Sequence, residues 1–381
     1  MLFNPPKIDN VEADVIAQID QLRETLAYAV RTPKRWPGLL RRISFARAIR
    51  GSNSIEGFKV TVEDALAAIQ GEAPIEATEL SWKAVTGYRA AMTYVLQLAA
   101  DPHFRHSTDL IRSLHFMMLE YDLSKNPGRW RPGPIQVVDE GKGQVVYKAP
   151  DAEQVPALMQ ELVTSINKPD SSDASMVRAA MAHVNLAMIH PFSDGNGRMA
   201  RCLQTLILAR SGTLAPEFSS IEEYLGRNTA EYYAVLEKVG AGKWNPSRDA
   251  RPWVRFCLTA HYRQAQTILR RARELQQVWD ALEAEVKKRK IPERTVLALS
   301  DAAFGLRVRN VGYRNVADVS IQVATKDLKL LVENQLLDPT GDRRGRFYEA
   351  STIVKQIRQR YAEPRTLTDP FAKRAIKAPK T

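Results

Sequence analysis

Apolar residues recur at helical spacing along most of the chain. Between residues 11 and 31 they share one face of a helix, at Val15, Ile16, Ile19, Leu22 and Leu26. This spacing predicts an amphipathic helix. The same spacing predicts helices over residues 82–98, 108–119, 155–166, 176–189, 198–211 and 253–287. The chain is therefore predicted to be mainly α-helical.

Two stretches break this pattern. Residues 135–138 and 144–147 are short apolar runs on either side of a glycine-containing turn, which predicts a β-hairpin. The second change comes near Lys290, where shorter helical segments are followed by a turn at 341–345 between two strand-like pieces. We place a domain boundary there.

Composition narrows the class of protein. The 381 residues carry a formal net charge of +12, which favours a polyanionic partner, although a solvated basic surface gives the same count. No apolar run reaches the roughly 20 residues of a membrane helix, and the N-terminus lacks a signal-peptide pattern. With only Cys202 and Cys257 there is no disulfide framework, so we expect a cytoplasmic protein.

The main candidate chemistry lies in a loop between two predicted helices. Gly195-Asn196-Gly197 precedes the second helix, where backbone N–H groups and the helix dipole favour an anion. Arg198 and Arg201 share a face of that helix and can complete a phosphate cradle. Asp194 is suited to hold Mg²⁺ beside phosphates, and His190 to accept a proton.

Each of these residues also has an ordinary structural interpretation. A histidine at a helix end is usually a cap or a core residue, and a Gly-Asn-Gly loop is usually a turn. Their occurrence together in one short segment favours the functional interpretation.

This segment resembles the signature of the Fic family, H-x-F-x-(D/E)-G-N-G-R-x-x-R. It matches every defined position with His190-Pro191-Phe192-Ser193-Asp194-Gly195-Asn196-Gly197-Arg198-Met199-Ala200-Arg201. Tyr232 and Tyr233 resemble the tyrosines that line the adenosine side in that family. In that family a hairpin called the flap binds a target segment by strand addition. The residues here that resemble the flap are Val145, Val146, Tyr147 and Lys148.

The resemblance implies a protein adenylyltransferase that moves AMP from ATP to a Ser, Thr or Tyr hydroxyl of target proteins and of itself. His190 would be the general base, and Asp194 would hold Mg²⁺ against the α- and β-phosphates. Arg201 would hold the γ-phosphate. The phosphate chain would be bound by Gly195, Asn196, Gly197 and Arg198. Glycine at position 197 favours AMP transfer over the phosphorylation carried out by Doc-type kinases of this fold, which usually have lysine there.

A second motif lies upstream, at Ser52-Asn53-Ser54-Ile55-Glu56-Gly57. The pattern predicts a helix that ends at Gly57 with Glu56 in its last turn, which by itself is typical of a surface glutamate. It also resembles the family's inhibitory motif, (S/T)-x-x-x-E-(G/N), in the class that carries it N-terminal to the core. That resemblance implies that Glu56 pairs with Arg201 and hinders productive ATP binding. In that class the same glutamate is also tied to removal of AMP.

The C-terminal segment resembles a winged helix-turn-helix. In its third helix Gln322, Thr325, Lys326 and Lys329 form an outward row that would suit a DNA groove. The turn at 341–345 and its flanking strands would form the wing of this fold. Its phosphate contacts would come from Arg343, Arg344 and Arg346. The alternative is a protein-docking or dimer module with an ordinary solvated face.

These interpretations divide the chain into five parts. They are an N-terminal helical region with the inhibitory motif (1–105), a Fic domain (106–262), a linker helix (263–290), a winged-helix-like domain (291–362) and a basic tail (363–381). The leading hypothesis is an AMP transferase that uses ATP and Mg²⁺, and the family also implies a homodimer. The alternatives are a DNA-binding regulator whose Fic site senses nucleotide, and a transferase of another phosphate-linked group. We interpret His103, His106 and His115 as unrelated histidines.

Overall fold

The N-terminal region is a group of helices in the computed structural model, which describes residues 1–139, 143–168, 174–210, 218, 220–341 and 346–372. The helices are α1 (Asn10–Ala29), α2 (Trp36–Ile55), α3 (Val62–Gln70) and α4 (Glu79–Ala99). Reciprocal hydrogen bonds between Asp9 and Glu12 start α1 as a capping box. Helix α2 starts with Pro37 in its first turn and ends just before Gly57, whose φ of +82° suits glycine.

The central region packs around two adjacent helices, α7 and α8, whose side chains are nearly all buried. The helices of this region are α5 (Thr108–Leu119), α6 (Val155–Ile166), α7 (Ser175–Ile189), α8 (Asn196–Ala209), α9 (Glu222–Arg227) and α10 (Thr229–Gly240). The predicted mainly helical class, with a small hairpin, is confirmed.

The hairpin comprises β1 (Gln136–Asp139) and β2 (Gln144–Lys148), which pair antiparallel. Residues 140–142 of the predicted turn lie outside the described residues. A short strand that we did not predict, β3 (Gly242–Lys243), pairs parallel to the end of β2, opposite Tyr147 and Lys148. The base of the hairpin is therefore tied to the chain that follows α10.

One long helix, α11 (Arg251–Lys288), connects the central region to the C-terminal region. It is continuous, so the predicted division between 262 and 263 falls inside a single helix. The elements after it are α12 (Val296–Ala303), α13 (Asn310–Ala317), α14 (Ile321–Glu333), β4 (Leu337–Thr340), β5 (Phe347–Ala350) and α15 (Thr352–Arg360). Strands β4 and β5 are antiparallel, and Val308 bridges to Tyr348. The winged-helix assignment of this region stays a prediction, and Arg343 and Arg344 lie outside the described residues.

Two clusters of buried apolar side chains form the core. The first surrounds α7 and α8, and the second lies between the later half of α11 and the C-terminal helices. Helix α2 contributes to both, with Ile49 in the first and Leu40 in the second. An ion pair of 2.7 Å between Arg42 and Asp301 joins α2 directly to α12. Helix α2 therefore contacts both the central and the C-terminal regions.

The described end of the chain returns along α11. Glu363 pairs with Arg273 at 2.6 Å, and the Phe371 ring lies under the Arg255 guanidinium. Among the helices of the described residues, none has the length and apolar character needed to cross a membrane.

Candidate active site

His190 ends α7 in the left-handed conformation, with φ of +51°. Its ring Nδ1 lies 3.2 Å from the carbonyl oxygen of Ala187. Because a carbonyl can only accept a hydrogen bond, Nδ1 carries the proton and Nε2 keeps its lone pair. Burial lowers the pKa of His190 below its usual value of 6.5, so the ring is neutral at neutral pH. The imidazole is thus in the form that accepts a proton at Nε2.

The loop after His190 is closed by the Asn196 side chain. Its Nδ2 donates to the carbonyl of Phe192 at 2.8 Å, and its Oδ1 accepts from the Phe192 N–H at 2.9 Å. Both ends of the amide are therefore used within the loop. A phosphate contact from Asn196 would have to come from its backbone N–H.

His115 supports the same loop from α5, a role that the sequence analysis missed. Its Nδ1 accepts from the Gly128 N–H at 2.9 Å, so its Nε2 carries the proton and donates to the Asp194 carbonyl at 2.9 Å. The ring stacks on Phe192, with centroids 3.6 Å apart. Burial lowers the pKa of His115 to about 4, which keeps this arrangement neutral.

The start of α8 has the backbone geometry of an anion site. Gly195 has φ of +74°, and a Cβ there would lie only 2.6 Å from Leu119 Cδ1, so glycine is required. The N–H groups of Asn196, Gly197 and Arg198 belong to the first turn and have no acceptor within the helix. They lie at the positive end of the helix dipole.

Two buried arginines follow on the same helix. Arg198 and Arg201 are each 1% exposed. The Nε and Nη1 atoms of Arg198 and the Nη1 atom of Arg201 are buried and have no hydrogen-bond partner within the described part of the chain. Buried guanidinium groups are normally paired, because an unsatisfied charged donor is costly. These N–H groups are therefore suited to an anion such as a phosphate.

Arg201 is held by the end of α2. Its Nη2 lies 2.6 Å from Glu56 Oε1 and 3.0 Å from the Ser52 carbonyl oxygen, and its Nε donates to Ser52 Oγ at 2.8 Å. Burial alone would lower the pKa of Arg201, but Glu56, with smaller effects of Tyr232 and Tyr88, outweighs burial and raises it. Arg201 is therefore always charged, with Glu56 as its ion-pair partner.

Gly197 makes room for that ion pair. A Cβ at position 197 would lie 2.5 Å from Glu56 Oε1 and 3.1 Å from Arg201 Nη1. A larger residue would have to displace the carboxylate, so the Glu56–Arg201 contact depends on glycine here.

Asp194 lies at the more open side of the loop, with its side chain 37% exposed. Its Oδ1 accepts the Gly195 N–H at 2.5 Å and is 3.8 Å from Arg198 Nη2, while its Oδ2 is 3.8 Å from Lys125 Nζ. No cluster of three or more His, Cys, Asp or Glu side chains suited to a metal occurs among the described residues. A single exposed carboxylate is what Mg²⁺ uses when phosphate oxygens and water complete its shell.

The two predicted adenosine-side tyrosines have different environments. Tyr232 is 1% exposed, and its hydroxyl is 3.0 Å from His183 Nε2, deep in the core. Because Tyr232 is buried, direct contact with a nucleotide does not fit it. Tyr233 is 49% exposed, and its hydroxyl donates to the Ile55 carbonyl at 3.2 Å. Of the two, Tyr233 lies where a ligand at the end of α2 could reach it.

The predicted flap residues also differ in their exposure to solvent. Tyr147 is buried and donates from its hydroxyl to the Met188 carbonyl at 2.8 Å, so it anchors the hairpin to α7. Val145 and Lys148 are exposed, and Val146 is half-buried. Val145, Val146 and Lys148 are therefore the predicted flap residues that a ligand or target segment could contact.

Arg131 connects the hairpin to the loop, a role that the sequence alone did not assign to it. Its Nε donates to the His190 carbonyl at 2.8 Å, and its other nitrogens donate to the carbonyls of Gly133 and Pro150 at the two ends of the hairpin segment. One buried guanidinium thus fixes the hairpin relative to His190.

Residues 105–208 match the profile of the Fic/DOC family. These residues form a Fic domain. The match includes His190, the closed loop and both buried arginines, and it ends within α8. Glu56 and Tyr233 lie outside it.

Curated proteins named as protein adenylyltransferases are similar to part of this chain. Protein adenylyltransferase fic-1 of Caenorhabditis briggsae is 34% identical over 176 residues, which are 45% of this chain and 31% of the relative. Protein adenylyltransferase Fic of Nematostella vectensis is 26% identical over 262 residues, which are 66% of this chain and 55% of the relative. The match therefore spans 31% of the length of the first relative and 55% of the second.

Solved structures share the fold. A Fic family protein from Desulfovibrio desulfuricans superposes with a TM-score of 0.59 at 22% identity, covering 91% of this chain and 98% of that one. A fragment of Fic-1 from Caenorhabditis elegans superposes with a TM-score of 0.52 at 24% identity, covering 68% and 71% of the two chains. At these identities the likeness establishes the fold, which extends beyond the Fic domain in the first case.

Proposed function

We propose that this protein transfers AMP from ATP to the hydroxyl of a protein Ser, Thr or Tyr side chain. The observation that carries the proposal is the pair of buried arginines at the start of α8, which have N–H groups without a hydrogen-bond partner among the described residues. They lie on the helix that follows the neutral His190 and its loop. A polyphosphate would satisfy those donors, and His190 would accept the proton of the attacking hydroxyl. The names of the curated relatives support the same activity.

In the proposed reaction His190 Nε2 takes the proton as the hydroxyl oxygen bonds to the α-phosphorus. The bond from that phosphorus to the bridging oxygen of the β-phosphate breaks, and diphosphate leaves. The backbone N–H groups of the first turn of α8 and the guanidinium of Arg198 would bind the phosphate chain, while Arg201 would hold the γ-phosphate. These donors would place the α-phosphate in line with the hydroxyl, and positioning supplies much of the rate in phosphate chemistry.

The residues present fit Mg²⁺ bound with the nucleotide. Asp194 would supply the protein carboxylate and phosphate oxygens most of the remaining ligands. When bound, the ion neutralises charge on the phosphates of the nucleotide.

Glu56 would act as a brake on this reaction. In the resting protein its carboxylate occupies Arg201, so the γ-phosphate lacks its partner and ATP binds in a pose unfavourable for attack. The 2.6 Å ion pair and the close fit over Gly197 support this proposal. The same glutamate would also serve the reverse reaction, removal of AMP.

The target would be a protein segment that presents its hydroxyl at the exposed residues of β2. Self-modification, a homodimer and a cytoplasmic location belong to the same proposal. The free edge of β2 is limited, because β3 already pairs with Tyr147 and Lys148. Strand addition on that side would use residues 144–146.

A second candidate function is DNA binding by the C-terminal region. It is favoured by the exposed face of α14, which carries Gln322, Thr325, Lys326 and Lys329. In that case the Fic site would sense nucleotide and not transfer it. A third candidate keeps the same site and transfers another phosphate-linked group.

Incubation with ATP labelled in the adenine and with Mg²⁺ tests the main proposal. We expect covalent adenylate on protein, detected by autoradiography and by the mass of AMP on a tryptic peptide. A gel shift with DNA and no covalent label would favour the regulator. Label from another nucleotide, with none from ATP, would favour the third candidate.

A further inference from the structure

A second acidic side chain, Glu222, is buried near Arg201 and has no part in the chemistry proposed above. It is 1% exposed at the start of α9, and its Oε1 accepts from Thr205 Oγ1 at 3.1 Å. Its Oε2 forms no hydrogen bond of ordinary geometry within the described residues, and the Tyr88 hydroxyl is close enough to interact with it. A carboxyl group so poorly satisfied is costly to ionise.

Glu222 lies at the crossing of α2 and α9. A Cβ at Gly51 would lie 2.4 Å from the Glu222 carbonyl oxygen, and a Cβ at Gly226 would lie 2.7 Å from the Gly51 Cα. The two backbones therefore touch one residue before Ser52, which holds the Arg201 guanidinium. The buried Tyr88 hydroxyl interacts with both Ser52 and Glu222. Glu222 is thus connected to Arg201 through the residues that position it.

The electrostatic environment of Glu222 contains one fixed charge, Arg201, among the groups that affect its pKa. Burial raises the pKa of Glu222 to about 7, while Tyr88, Arg201 and Thr205 oppose the rise only in part. The neighbouring Tyr88 on α4 and Cys202 on α8 have pKa values raised well above their usual ranges by burial, so both stay neutral. Glu222 is the group in this cluster that changes charge near neutral pH.

We propose that Glu222 is a positioning residue whose charge state sets how strongly Arg201 binds an anion. The inference rests on the proposed function, because the anion is the γ-phosphate of ATP. Protonated Glu222 leaves Glu56 as the only carboxylate acting on Arg201 within this cluster of described residues. Ionised Glu222 adds a second negative charge in a low-dielectric site, which holds the guanidinium in its resting position and repels the phosphate. ATP affinity therefore falls as Glu222 loses its proton.

Linkage makes the effect reciprocal. If ionisation of Glu222 weakens ATP binding, then ATP binding must favour the protonated carboxyl group by the same factor. The protein should consequently take up protons when it binds ATP near neutral pH. A purely structural role of Glu222 would produce no such uptake.

The test compares two full-length proteins, Glu56→Gly and Glu56→Gly with Glu222→Gln, because removal of Glu56 exposes Arg201 to ATP. Calorimetric titration with Mg²⁺ and ATP gives the dissociation constant from about pH 6 to pH 8, and buffers of different ionisation enthalpy give the proton uptake. We expect the first protein to lose about 3- to 10-fold more affinity across this range than the second, since one pKa unit of coupling is tenfold. Protonation of ATP itself affects the measured affinity of both proteins equally, so it cancels when the two are compared.

Glu63→Gln in the same background is the matched control. Glu63 is a half-buried carboxyl on α3 whose pKa burial also raises, but it faces Arg307 and not Arg201. Its profile should follow that of Glu56→Gly.

Parallel pH profiles with and without Glu222, or equal proton uptake, would overturn the inference and leave the proposed function standing. Absence of ATP binding in both proteins would overturn both. If Glu222→Gln fails to fold, Tyr88→Phe replaces it. The Tyr88 hydroxyl lowers the pKa of Glu222, so its removal must move the midpoint of the affinity profile to higher pH. An unmoved midpoint also overturns the inference.

Discussion

Glu56 Oε1 lies 2.6 Å from Arg201 Nη2, although the two residues are 145 positions apart in the chain. Glu56 caps the C-terminal end of α2, and Arg201 lies in the second turn of α8. The Arg201 guanidinium is buried, and this carboxylate occupies its Nη2. If the proposed function holds, the position of α2 decides whether Arg201 is available to a phosphate.

The first prediction follows from this contact. Glu56→Gly removes the carboxylate and should raise AMP transfer by about 10²-fold, because a small misplacement of a phosphate can cost that much. Self-labelling with ATP measures the gain. Adding Arg201→Ala should abolish it, so that the double variant is nearly as inactive as Arg201→Ala alone, a strong departure from additivity.

Glu120→Gly is the matched control for Glu56→Gly, since Glu120 also caps the C-terminal end of a helix but is exposed. It should leave labelling unchanged. If Glu56→Gly leaves labelling unchanged or lowers it, α2 merely ends at this position and the brake does not exist.

The second prediction concerns His190 and pH. Burial lowers its pKa below 6.5, so the neutral base persists at neutral pH and is lost only as pH falls below the usual histidine range. At saturating ATP, kcat of the Glu56→Gly protein should be level through neutral pH and decline only in acid. His190→Ala should lose about 10²–10⁴-fold in kcat while still binding ATP. His103→Ala, at an exposed histidine, is the control and should keep its activity. Normal transfer by His190→Ala would refute the assignment of His190 as the general base.

The third prediction concerns Mg²⁺. Asp194→Ala should lose AMP transfer, and the Glu56→Gly protein should lose transfer in excess EDTA and regain it with Mg²⁺. Asp109→Ala, which changes an aspartate that is 85% exposed on α5, should have no effect. Undiminished transfer in excess EDTA would mean that the site works without the ion.

The fourth prediction concerns His115, which holds the loop between His190 and α8. His115→Phe keeps a ring against Phe192 but removes the donor to the Asp194 carbonyl and the acceptor for Gly128. Loss of a buried hydrogen bond should lower the free energy of unfolding by about 1–3 kcal/mol, and the shifted loop should reduce kcat by about tenfold or more. Thermal melts and labelling rates measure the two effects.

His106→Phe provides the comparison. His106 also has a pKa lowered to about 4 by burial, but it bonds Asn167, away from the loop. That variant should lose stability and keep its rate. Equal rates in both histidine variants would remove His115 from the catalytic arrangement.

The fifth prediction concerns DNA. If the C-terminal region binds DNA, neutral replacements of its five candidate basic residues should weaken binding equally for all sequences and flatten the salt dependence. The residues are Lys326, Lys329, Arg343, Arg344 and Arg346. Lys83→Gln on α4 is the control in gel shifts over a range of salt. No shift by the intact protein at low salt would show that this region does not bind DNA.

Local patterns were enough for much of the fold. The spacing of apolar residues predicted seven of the helices (α1, α4, α5, α6, α7, α8 and α11), and glycines predicted the hairpin, because helix period and turn conformation depend on neighbouring residues. The same spacing did not predict α2, α3, α9 or α10. The motif from His190 to Arg201 predicted the candidate chemical groups from local sequence alone, since its members lie within one loop and one helix. The winged-helix interpretation of the C-terminal region stays a prediction.

The tertiary structure alone decided which of these groups face one another. Tyr232 and Tyr233 are adjacent in sequence, yet the first is buried with its hydroxyl beside His183 and the second is half-exposed with its hydroxyl on the end of α2. Nothing in the sequence separates Glu222 from the many glutamates on the surface. Its pKa of about 7 arises only because α2, α4, α8 and α9 enclose it and exclude water. Burial and charge coupling depend on segments far apart in the chain, so they exist only once the chain has folded.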